Sequence, residues 1–314
     1  MTERYPDFII GGAPKCGTTS LHFILDQHPE IALPEDEIHY FDSDDPITHP
    51  DFFFQRDGEL VYYDNSADNA EFRARYADRF APFKRSRLIG EDSTTYLMSA
   101  VAPVRIQTLL PDAKLIFMLR NPASRAYSQY WHMVKSARAT CSFERAIHEH
   151  PSITLGSTFL PHLERYRARF GADQVKVVLF EDFIADNQAV INDVTDYLGV
   201  GRMEVRRDAS WFNKTYYPTN VAGQLMLNRI GRHIAALRYR DHLASRTGLA
   251  TRAAGKLHHI WFTRVNPFFL KAERPPPMRD ATRAYLNEHL SRRNDGLSRF
   301  LDRDLSDLWP GFDG

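Results

Sequence analysis

Residues 11–20 combine glycines, a lysine and hydroxyl side chains in a pattern that suits a bound phosphate or sulfate. An apolar run before this segment predicts a strand over 7–12, and helical spacing after it predicts a helix over 18–25. A strand-to-helix turn presents unpaired backbone N–H groups and the positive end of a helix dipole to an anion. The segment's side chains add further donors, from Lys15, Thr18, Thr19 and Ser20.

The same segment differs from the phosphate loop of nucleoside triphosphatases, G-x-x-x-x-G-K-[ST]. Gly12 and Gly17 have the required spacing, but Thr18 stands where that motif has its lysine. The positive charge lies inside the loop instead, at Lys15. This pattern disfavours a magnesium-dependent kinase. It leaves two alternatives, an anion-binding loop and a tight turn without a ligand.

A second candidate anion site follows the apolar run 114–119, which predicts a strand buried on both faces. Arg120 comes directly after it, where a guanidinium can bind a phosphate through two hydrogen bonds. Ser128 follows about two helical turns later and could hold the same phosphate from the other side. Taken singly, Arg120 could pair with an acidic neighbour, and Ser128 could be a surface hydroxyl.

Both segments fit an α/β fold of the P-loop-like, three-layer type, with a central parallel sheet flanked by helices. Strands are predicted over 7–12, 87–92, 114–119 and 175–180, and helices over 18–25, 104–110, 124–135, 159–170 and 189–198. Ligands of such sheets bind beyond the carboxyl ends of the strands, so the chemistry is expected just after Gly12, Asp92 and Leu119. We expect one domain over 1–314, with 221–270 as a helical cap segment.

Together these motifs resemble the sulfotransferases that use 3′-phosphoadenosine 5′-phosphosulfate (PAPS), nearest to the branch of the heparan sulfate enzymes. Residues 14–21 resemble the 5′-phosphosulfate loop of that family, and residues 120–128 resemble its 3′-phosphate motif. Residues 28–42 resemble the segment that carries the catalytic glutamate of this branch. Two further segments resemble the family, at 211–215 and at 274–277.

The resemblance implies sulfuryl transfer to a hydroxyl group and a role for each matching residue. Lys15 would contact the 5′-phosphosulfate and neutralise charge on the leaving oxygen. Glu37 would be the general base, and His39 would position the acceptor or serve as the base itself. The residues that would bind PAPS are Lys15, Cys16, Gly17, Thr18, Thr19, Ser20, Arg120, Ser128, Lys271 and Arg274.

The surroundings of Glu37 bear on its pKa and on the acceptor. Twelve acidic residues and one basic residue lie between residues 35 and 71. This block predicts a raised pKa for Glu37 and a neutral or cationic hydroxylated acceptor, which could be a small molecule, a glycan or a lipid. Asp92 stands where the heparan enzymes typically have a lysine, which argues against a polyanionic acceptor. The other interpretation of the block is an ordinary solvated surface.

Residues 221–264 form the opposite charge block, with eight basic residues and one acid. One interpretation is a helical cap over the acceptor cleft or a homodimer surface. The other is peripheral contact with an anionic membrane, which would bring a membrane-bound acceptor within reach.

Composition limits the remaining classes. The 40 Lys and Arg residues balance 40 Asp and Glu residues, and zero net charge disfavours a nucleic-acid binder. Two cysteines cannot build a disulfide framework, and neither a signal peptide nor a spanning apolar run is visible, so a cytoplasmic location is expected. We expect no metal, because PAPS chemistry requires none. The competing functions are a small-molecule kinase and a non-catalytic nucleotide-binding module.

Overall fold

In the computed structural model, five parallel strands form a central sheet in the order β2-β5-β1-β6-β7. The structure describes residues 4–62, 70–205, 215–242 and 249–312. In chain order, the strands are β1 (Phe8–Gly12), β2 (Ile31–Ala32), β3 (Phe54–Arg56), β4 (Glu59–Val61), β5 (Leu88–Asp92), β6 (Lys114–Leu119), β7 (Val175–Leu179), β8 (Tyr217–Pro218) and β9 (Leu270–Ala272). Strands β3 and β4 form one antiparallel pair, and β8 and β9 form another.

The register of the sheet brings the carboxyl ends of three strands together. Ile10 of β1 lies beside Asp92 of β5 on one side and beside Ile116 of β6 on the other. All of β1 is buried, as is all of β6 except its half-buried first residue, because helices cover the sheet. The loops after β1, β5 and β6 therefore meet at one edge, and the predicted fold class is confirmed.

Helices connect and flank the strands. In chain order they are α1 (Thr18–Leu25), α2 (Ala70–Phe80), α3 (Ala102–Leu109), α4 (Pro122–Lys135), α5 (Phe143–Glu149), α6 (Ser152–Leu155), α7 (Leu160–Phe170), α8 (Phe180–Ala185), α9 (Asn187–Leu198), α10 (Val221–His242), α11 (Leu249–Ile260), α12 (Asp280–Arg293) and α13 (Leu297–Leu301). Every predicted strand and helix is present, and the largest difference in a boundary is two residues.

The elements that the sequence did not predict are short or strongly polar. Strand β2 has two residues, and β3 and β4 have three each. Helix α2 begins at the end of the acidic block. It contains many charged residues, and only Tyr76, Ala77 and Phe80 are buried. Hydrophobic periodicity needs longer or more apolar segments to be informative.

The segment after β8 is helical, as predicted. Gly223 and Gly231 of α10 lie against the rings of Phe269 and Trp261, so the chain returns antiparallel along α10. Added Cβ atoms would come within 2.8 Å and 2.7 Å of those rings, so both close approaches require glycine. After the three prolines at 275–277, α12 packs on α4 and is followed by α13.

Among the described residues, no helix is both long enough and apolar enough to cross a lipid bilayer.

Candidate active site

Two adjoining cavities are lined by residues that follow β1, β5 and β6. The large cavity has a volume of about 1040 Å³, and the small cavity has a volume of about 240 Å³. Lys15 lines the large cavity, and Arg120 lines the small one. Ser128, Trp131 and Tyr217 line both, so a single elongated ligand could reach into each of them.

The turn between β1 and α1 leaves backbone amides free for an anion. Gly17 precedes α1 with a φ of 95°, in the left-handed region that favours glycine. A Cβ there would also come within 2.7 Å of the Phe180 ring. Within the described chain, no protein oxygen accepts from the N–H groups of Gly17, Thr18 and Thr19. Thr18 and Thr19 also line the large cavity.

Cys16 and Ser20 differ from the rest of this turn. The N–H group of Cys16 donates to the Ala13 carbonyl at 3.2 Å, and that of Ser20 donates to the Gly17 carbonyl at 3.0 Å. The thiol of Cys16 is fully buried, and burial raises its pKa to about 12. Neither residue lines a cavity, so the structure does not bring these two predicted residues to the site.

Lys15 lies among other positive groups. Burial lowers the pKa of its ammonium group, and the charges of Lys135, Arg120 and Arg125 lower it further, against the attraction of Glu37. A bound anion would counter this effect, because an opposite charge favours the protonated form. The turn is therefore poised to gain from anion binding.

Arg120 lies at the end of β6 with its charge unpaired. Its guanidinium stands 4.7 Å over the Phe180 ring, and it donates to the Lys15 carbonyl at 3.4 Å. No carboxylate pairs with it in the described part of the chain, so the alternative of a salt bridge is not observed. The half-buried Ser128 hydroxyl has no protein partner there either. Both groups are available to a ligand in the small cavity.

The three prolines at 275–277 form the opposite wall of the small cavity. The Tyr127 hydroxyl donates to the Pro276 carbonyl at 2.6 Å and so fixes this loop against α4. Arg283 of α12 adds a second cation, which the sequence did not predict. It is far from Arg120 in the chain, so no local motif links the two.

The structure does not bring Lys271 and Arg274 to either cavity. Both are exposed, and the ammonium group of Lys271 stands 5.6 Å over the Phe268 ring. Of the other segment that resembles the family, residues 211–214 lie outside the described residues.

Glu37 and His39 form a pair in the large cavity. Nε2 of His39 lies 3.1 Å from Oε2 of Glu37, and the Thr94 hydroxyl donates to the same oxygen at 3.1 Å. The Glu37 side chain is 38% exposed, so an acceptor hydroxyl could reach it.

The predicted rise in the pKa of Glu37 is wrong. Burial would raise this pKa, but the hydrogen bond and charge of His39 and the hydroxyl of Thr94 outweigh burial and hold it below its usual value. Burial alone would lower the pKa of the His39 imidazole. The charges of Glu37 and of other acids outweigh burial and raise this pKa. The pair thus favours an ionised carboxylate beside a protonated or hydrogen-bonded imidazole.

Buried Glu91 holds this pair in place. Its carboxylate accepts from Tyr76 and Tyr96 at 2.5 Å each and from the Ser93 hydroxyl at 2.8 Å. The Ser93 oxygen in turn accepts from the backbone N–H of His39 at 3.0 Å. Strand β5 thereby supports His39 at its left-handed φ of 55°.

Asp92 faces α1 and lines neither cavity. Its Oδ2 lies 3.3 Å from Nδ1 of His22, and its Oδ1 is buried without a hydrogen-bond partner. Burial raises the pKa of Asp92 to about 6. Asp92 therefore joins β5 to α1 through His22.

The acidic block is balanced by cations where it lines the large cavity. Asp36 lies 3.7 Å from Arg79, and Asp51 lies 2.6 Å from Arg138. The remaining acid of the lining, Glu37, is paired with His39. The structure therefore does not support a preference for cationic acceptors. Among the described cations of this lining, Lys135 and Arg232 have no acidic partner.

His132, which no motif of the sequence indicated, lines the large cavity one helical turn after Ser128. Burial lowers the pKa of its imidazole to about 3, with further contributions from Lys15 and Arg138. It is therefore a neutral donor or acceptor at the site. The four-residue spacing from Ser128 could have identified it, because residues i and i+4 share a helix face.

Three buried or half-buried side chains beside Glu37 have the composition of a metal site. The ligand atoms of His39, Asp42 and His49 lie within 4.8 Å of one another. Nε2 of His49 is, however, hydrogen-bonded to Oδ1 of Asp42 at 2.9 Å, and the Thr95 hydroxyl lies 3.1 Å from both imidazoles. These groups are hydrogen-bonded to one another, although Oδ2 of Asp42 is buried without a hydrogen-bond partner among the described residues.

Comparison with known proteins agrees with the geometry of the site. The profile of the family described as "Sulfotransferase family" matches residues 6–204. A sulfotransferase of known structure from Alicyclobacillus acidocaldarius is 30% identical with a TM-score of 0.53, and the match covers 79% of this chain and 99% of that one.

Curated relatives match over part of their length. The membrane-associated sulfotransferase kil1 of Dictyostelium discoideum is 33% identical over 172 residues, which are 52% of this chain and 32% of that protein. The human heparan sulfate glucosamine 3-O-sulfotransferase 3B1 is 26% identical over 223 residues, which are 68% of this chain and 51% of that protein. The chain thus spans about a third to a half of these two relatives.

Proposed function

Because the chain belongs to the sulfotransferase family, we propose that it transfers the sulfuryl group of PAPS to a hydroxyl group of an acceptor. The observation that carries this proposal is the pair of joined cavities with unpaired positive groups at both ends. Lys15 and free backbone amides lie at one end, and Arg120, Ser128 and Arg283 lie at the other. PAPS likewise carries anionic groups at both ends, a phosphosulfate and a 3′-phosphate.

In the proposed step, the acceptor oxygen attacks sulfur while the bond from sulfur to the 5′-phosphate oxygen breaks. The electron pair of that bond leaves with the phosphate, and the acceptor proton moves to the carboxylate of Glu37. The lowered pKa of Glu37 keeps the carboxylate ionised and ready to accept the proton at neutral pH. Lys15 and the amides of Thr18 and Thr19 stabilise the charge on the departing phosphate.

Glu37 fits the role of base better than His39. Both ring nitrogens of His39 have protein partners, Glu37 on one side and Thr95 on the other. One oxygen of Glu37 is held by His39, and exposure of the side chain leaves room for the acceptor. His39 therefore orients the base. Orienting Glu37 differs from the two roles that the resemblance gives His39, which are positioning the acceptor and serving as the base.

The walls of the large cavity support a neutral or anionic hydroxylated acceptor with an apolar part. The carboxylates of the cavity lining are paired, while Lys135 and Arg232 lack acidic partners among the described residues. Aromatic side chains, including Phe52 and Trp131, supply the apolar surface. Arg232 belongs to α10, which supports the interpretation of 221–264 as a cap over the acceptor cleft.

The first test is thermal unfolding with 3′-phosphoadenosine 5′-phosphate (PAP), the product of the donor. We expect PAP to raise the melting temperature and ATP with Mg²⁺ to have a smaller effect, because the small cavity presents cations for a 3′-phosphate. Turnover of labelled PAPS with panels of hydroxylated lipids, sugars and phenols then identifies the acceptor. Stabilisation by ATP with Mg²⁺ but not by PAP would contradict the proposal.

A further inference from the structure

A chain of hydrogen bonds extends from the Glu37–His39 pair into the protein. Nδ1 of His39 lies 3.1 Å from the Thr95 hydroxyl, and that oxygen lies 3.1 Å from Nε2 of His49. The same nitrogen of His49 lies 2.9 Å from Oδ1 of Asp42. Asp42 is fully buried, and the His49 side chain is only 8% exposed.

The groups at the two ends of this series of hydrogen bonds determine which atom donates in each bond. A carboxylate only accepts hydrogen bonds, so Nε2 of His49 carries a hydrogen toward Asp42, and Nε2 of His39 carries one toward Glu37. In neutral His39 the other nitrogen, Nδ1, is then an acceptor. The Thr95 hydroxyl must donate to it, and the lone pairs of Thr95 face the N–H of His49.

Aromatic contacts fix His49 in this arrangement. Its ring stacks on Phe52 with 4.7 Å between centroids and 6° between planes. It also meets the His39 ring edge-on at 4.5 Å. The buried Asp42 and the stacked ring leave His49 little freedom to turn its N–H away from Thr95.

We propose that His49 and Thr95 are positioning residues that set the tautomer and orientation of His39, so that its Nε2–H always faces Glu37. The consequence for the base is that Oε2 of Glu37 stays occupied, while Oε1, which accepts only a longer hydrogen bond of 3.3 Å from the Thr94 hydroxyl, stays accessible to the acceptor hydroxyl. This proposal rests on the proposed function of Glu37, but its test does not require turnover.

The direct test is ¹⁵N nuclear magnetic resonance of the imidazoles in the PAP-bound protein, with His39 assigned by its loss in a His39→Gln variant. The spectra are recorded as a pH titration, because the pKa of His39 is raised, and the tautomer is read at a pH where the His39 signals have reached those of the neutral ring. We expect wild-type His39 to show one tautomer, with hydrogen on Nε2. Thr95→Val should give a mixture of tautomers, and Thr95→Ser, which keeps the hydroxyl, should restore the single form.

His49 variants separate hydrogen bonding from ring packing. His49→Gln keeps an N–H donor near Asp42 and should preserve most of the signal of the single tautomer. His49→Phe keeps a ring for Phe52 but has no donor, and it should give the mixture. Thr108→Val is the matched control, since Thr108 lies on α3 and its hydroxyl bonds only to the Val104 carbonyl.

Kinetics provide a second readout once an acceptor is known. We expect Thr95→Val to lower kcat about 10- to 100-fold, because small misplacements near the reacting atoms have effects of that size, with KM for PAPS unchanged. An unaltered His39 tautomer in both Thr95→Val and His49→Phe would overturn the proposal. So would a stoichiometric divalent metal that is present in the wild type and lost in His49→Phe.

If PAP binds and the tautomer responds as expected but no acceptor is sulfonated, the proposed function fails while the positioning roles of His49 and Thr95 stand.

Discussion

The donor end and the acceptor end of the site differ in how their charges are balanced. At the donor end, Arg120 has no carboxylate partner in the described chain, and Lys15 lies among other cations. At the acceptor end, Asp36, Glu37 and Asp51 each have a basic partner. The acids of the large-cavity lining are therefore all paired with basic groups, whereas the cations of the donor end, like Lys135 and Arg232 of the large cavity, have no acidic partner in the described chain.

This difference teaches that the acidic block alone does not determine the charge around the acceptor. A count of charges along the sequence does not show which cations lie beside the acidic residues in the folded protein. Arg79 and Arg138 come from α2 and from the loop after α4, both distant from the acids in sequence. Two cations of the donor end, by contrast, follow parallel strands whose ends meet at one edge: Lys15 lies in the turn after β1, and Arg120 follows β6 directly.

The largest expected effect comes from Glu37→Gln, which removes the base at the acceptor end and leaves the donor end intact. We expect kcat to fall by about 10²–10⁴-fold, the range for loss of a general base, while the thermal shift with PAP persists. Glu288→Gln is the control, since Glu288 lies on α12 in an exposed pair with Arg292. Equal turnover of the Glu37→Gln variant and the wild type would remove Glu37 from the mechanism.

The next effect comes from Arg120→Ala at the donor end. Affinity for PAP should fall about 10- to 100-fold, because a charged hydrogen bond contributes about 1.5–3 kcal/mol. Affinity for adenosine 5′-phosphosulfate, which lacks the 3′-phosphate, should change little. Calorimetric titration with both nucleotides checks this, with Arg145→Ala as a control outside both cavities. A similar loss for both nucleotides would show that Arg120 does not recognise the 3′-phosphate.

A smaller effect is expected from Asp92→Asn, which should change the free energy of unfolding. The folded-state pKa of Asp92 is raised to about 6, so its protonated form stabilises the fold at low pH, and this contribution is lost as pH rises through that value. Asn cannot ionise. Relative to wild type, the variant should therefore gain about 1–3 kcal/mol of unfolding free energy between about pH 4 and pH 7.5.

Urea unfolding at the two pH values measures this difference. A gap between variant and wild type that is the same at both would mean that Asp92 has no raised pKa in the folded protein.

The smallest expected effect concerns the outer face of the cap over the acceptor end. Met226 and Ile230 of α10 are 70% and 59% exposed and flank the exposed Arg229. If this face contacts anionic lipid, sedimentation with phosphatidylserine vesicles should be weak and lost at high salt, since each basic residue adds about 1 kcal/mol. Ile230→Glu should reduce it without altering the thermal shift with PAP. No sedimentation, or equal sedimentation with neutral vesicles, would contradict contact with anionic lipid. Residues 221–264 would then be a cap over the acceptor cleft or a dimer surface.

The donor end could be predicted from sequence because its parts are contiguous. The turn after β1 leads directly into α1, and Arg120 and Ser128 lie at one strand end and on the helix after it. Their roles follow from element order, since parallel strands bring their carboxyl ends together. Lys271 and Arg274 were placed by a weaker resemblance, and the structure leaves them outside both cavities.

The rest of the site depends on contacts between distant segments. Ser93 holds the backbone of His39, and Thr95 reaches its ring, across more than 50 residues of chain. The direction of the pKa shift of Glu37 could not be predicted, because it depends on contacts with both its near neighbour His39 and the distant Thr94. A sequence shows that an acid is present, but not which hydrogen bonds it accepts.

The wall shared by the two cavities limits how this enzyme could be redesigned. Ser128 and Trp131 of α4 and Tyr217 of β8 face both spaces, so changes made there to admit a new acceptor would also disturb nucleotide affinity. Arg232 and Ala236 of α10 and Phe52 line only the large cavity. Engineering of substrate range should therefore begin with these three positions and leave α4 intact.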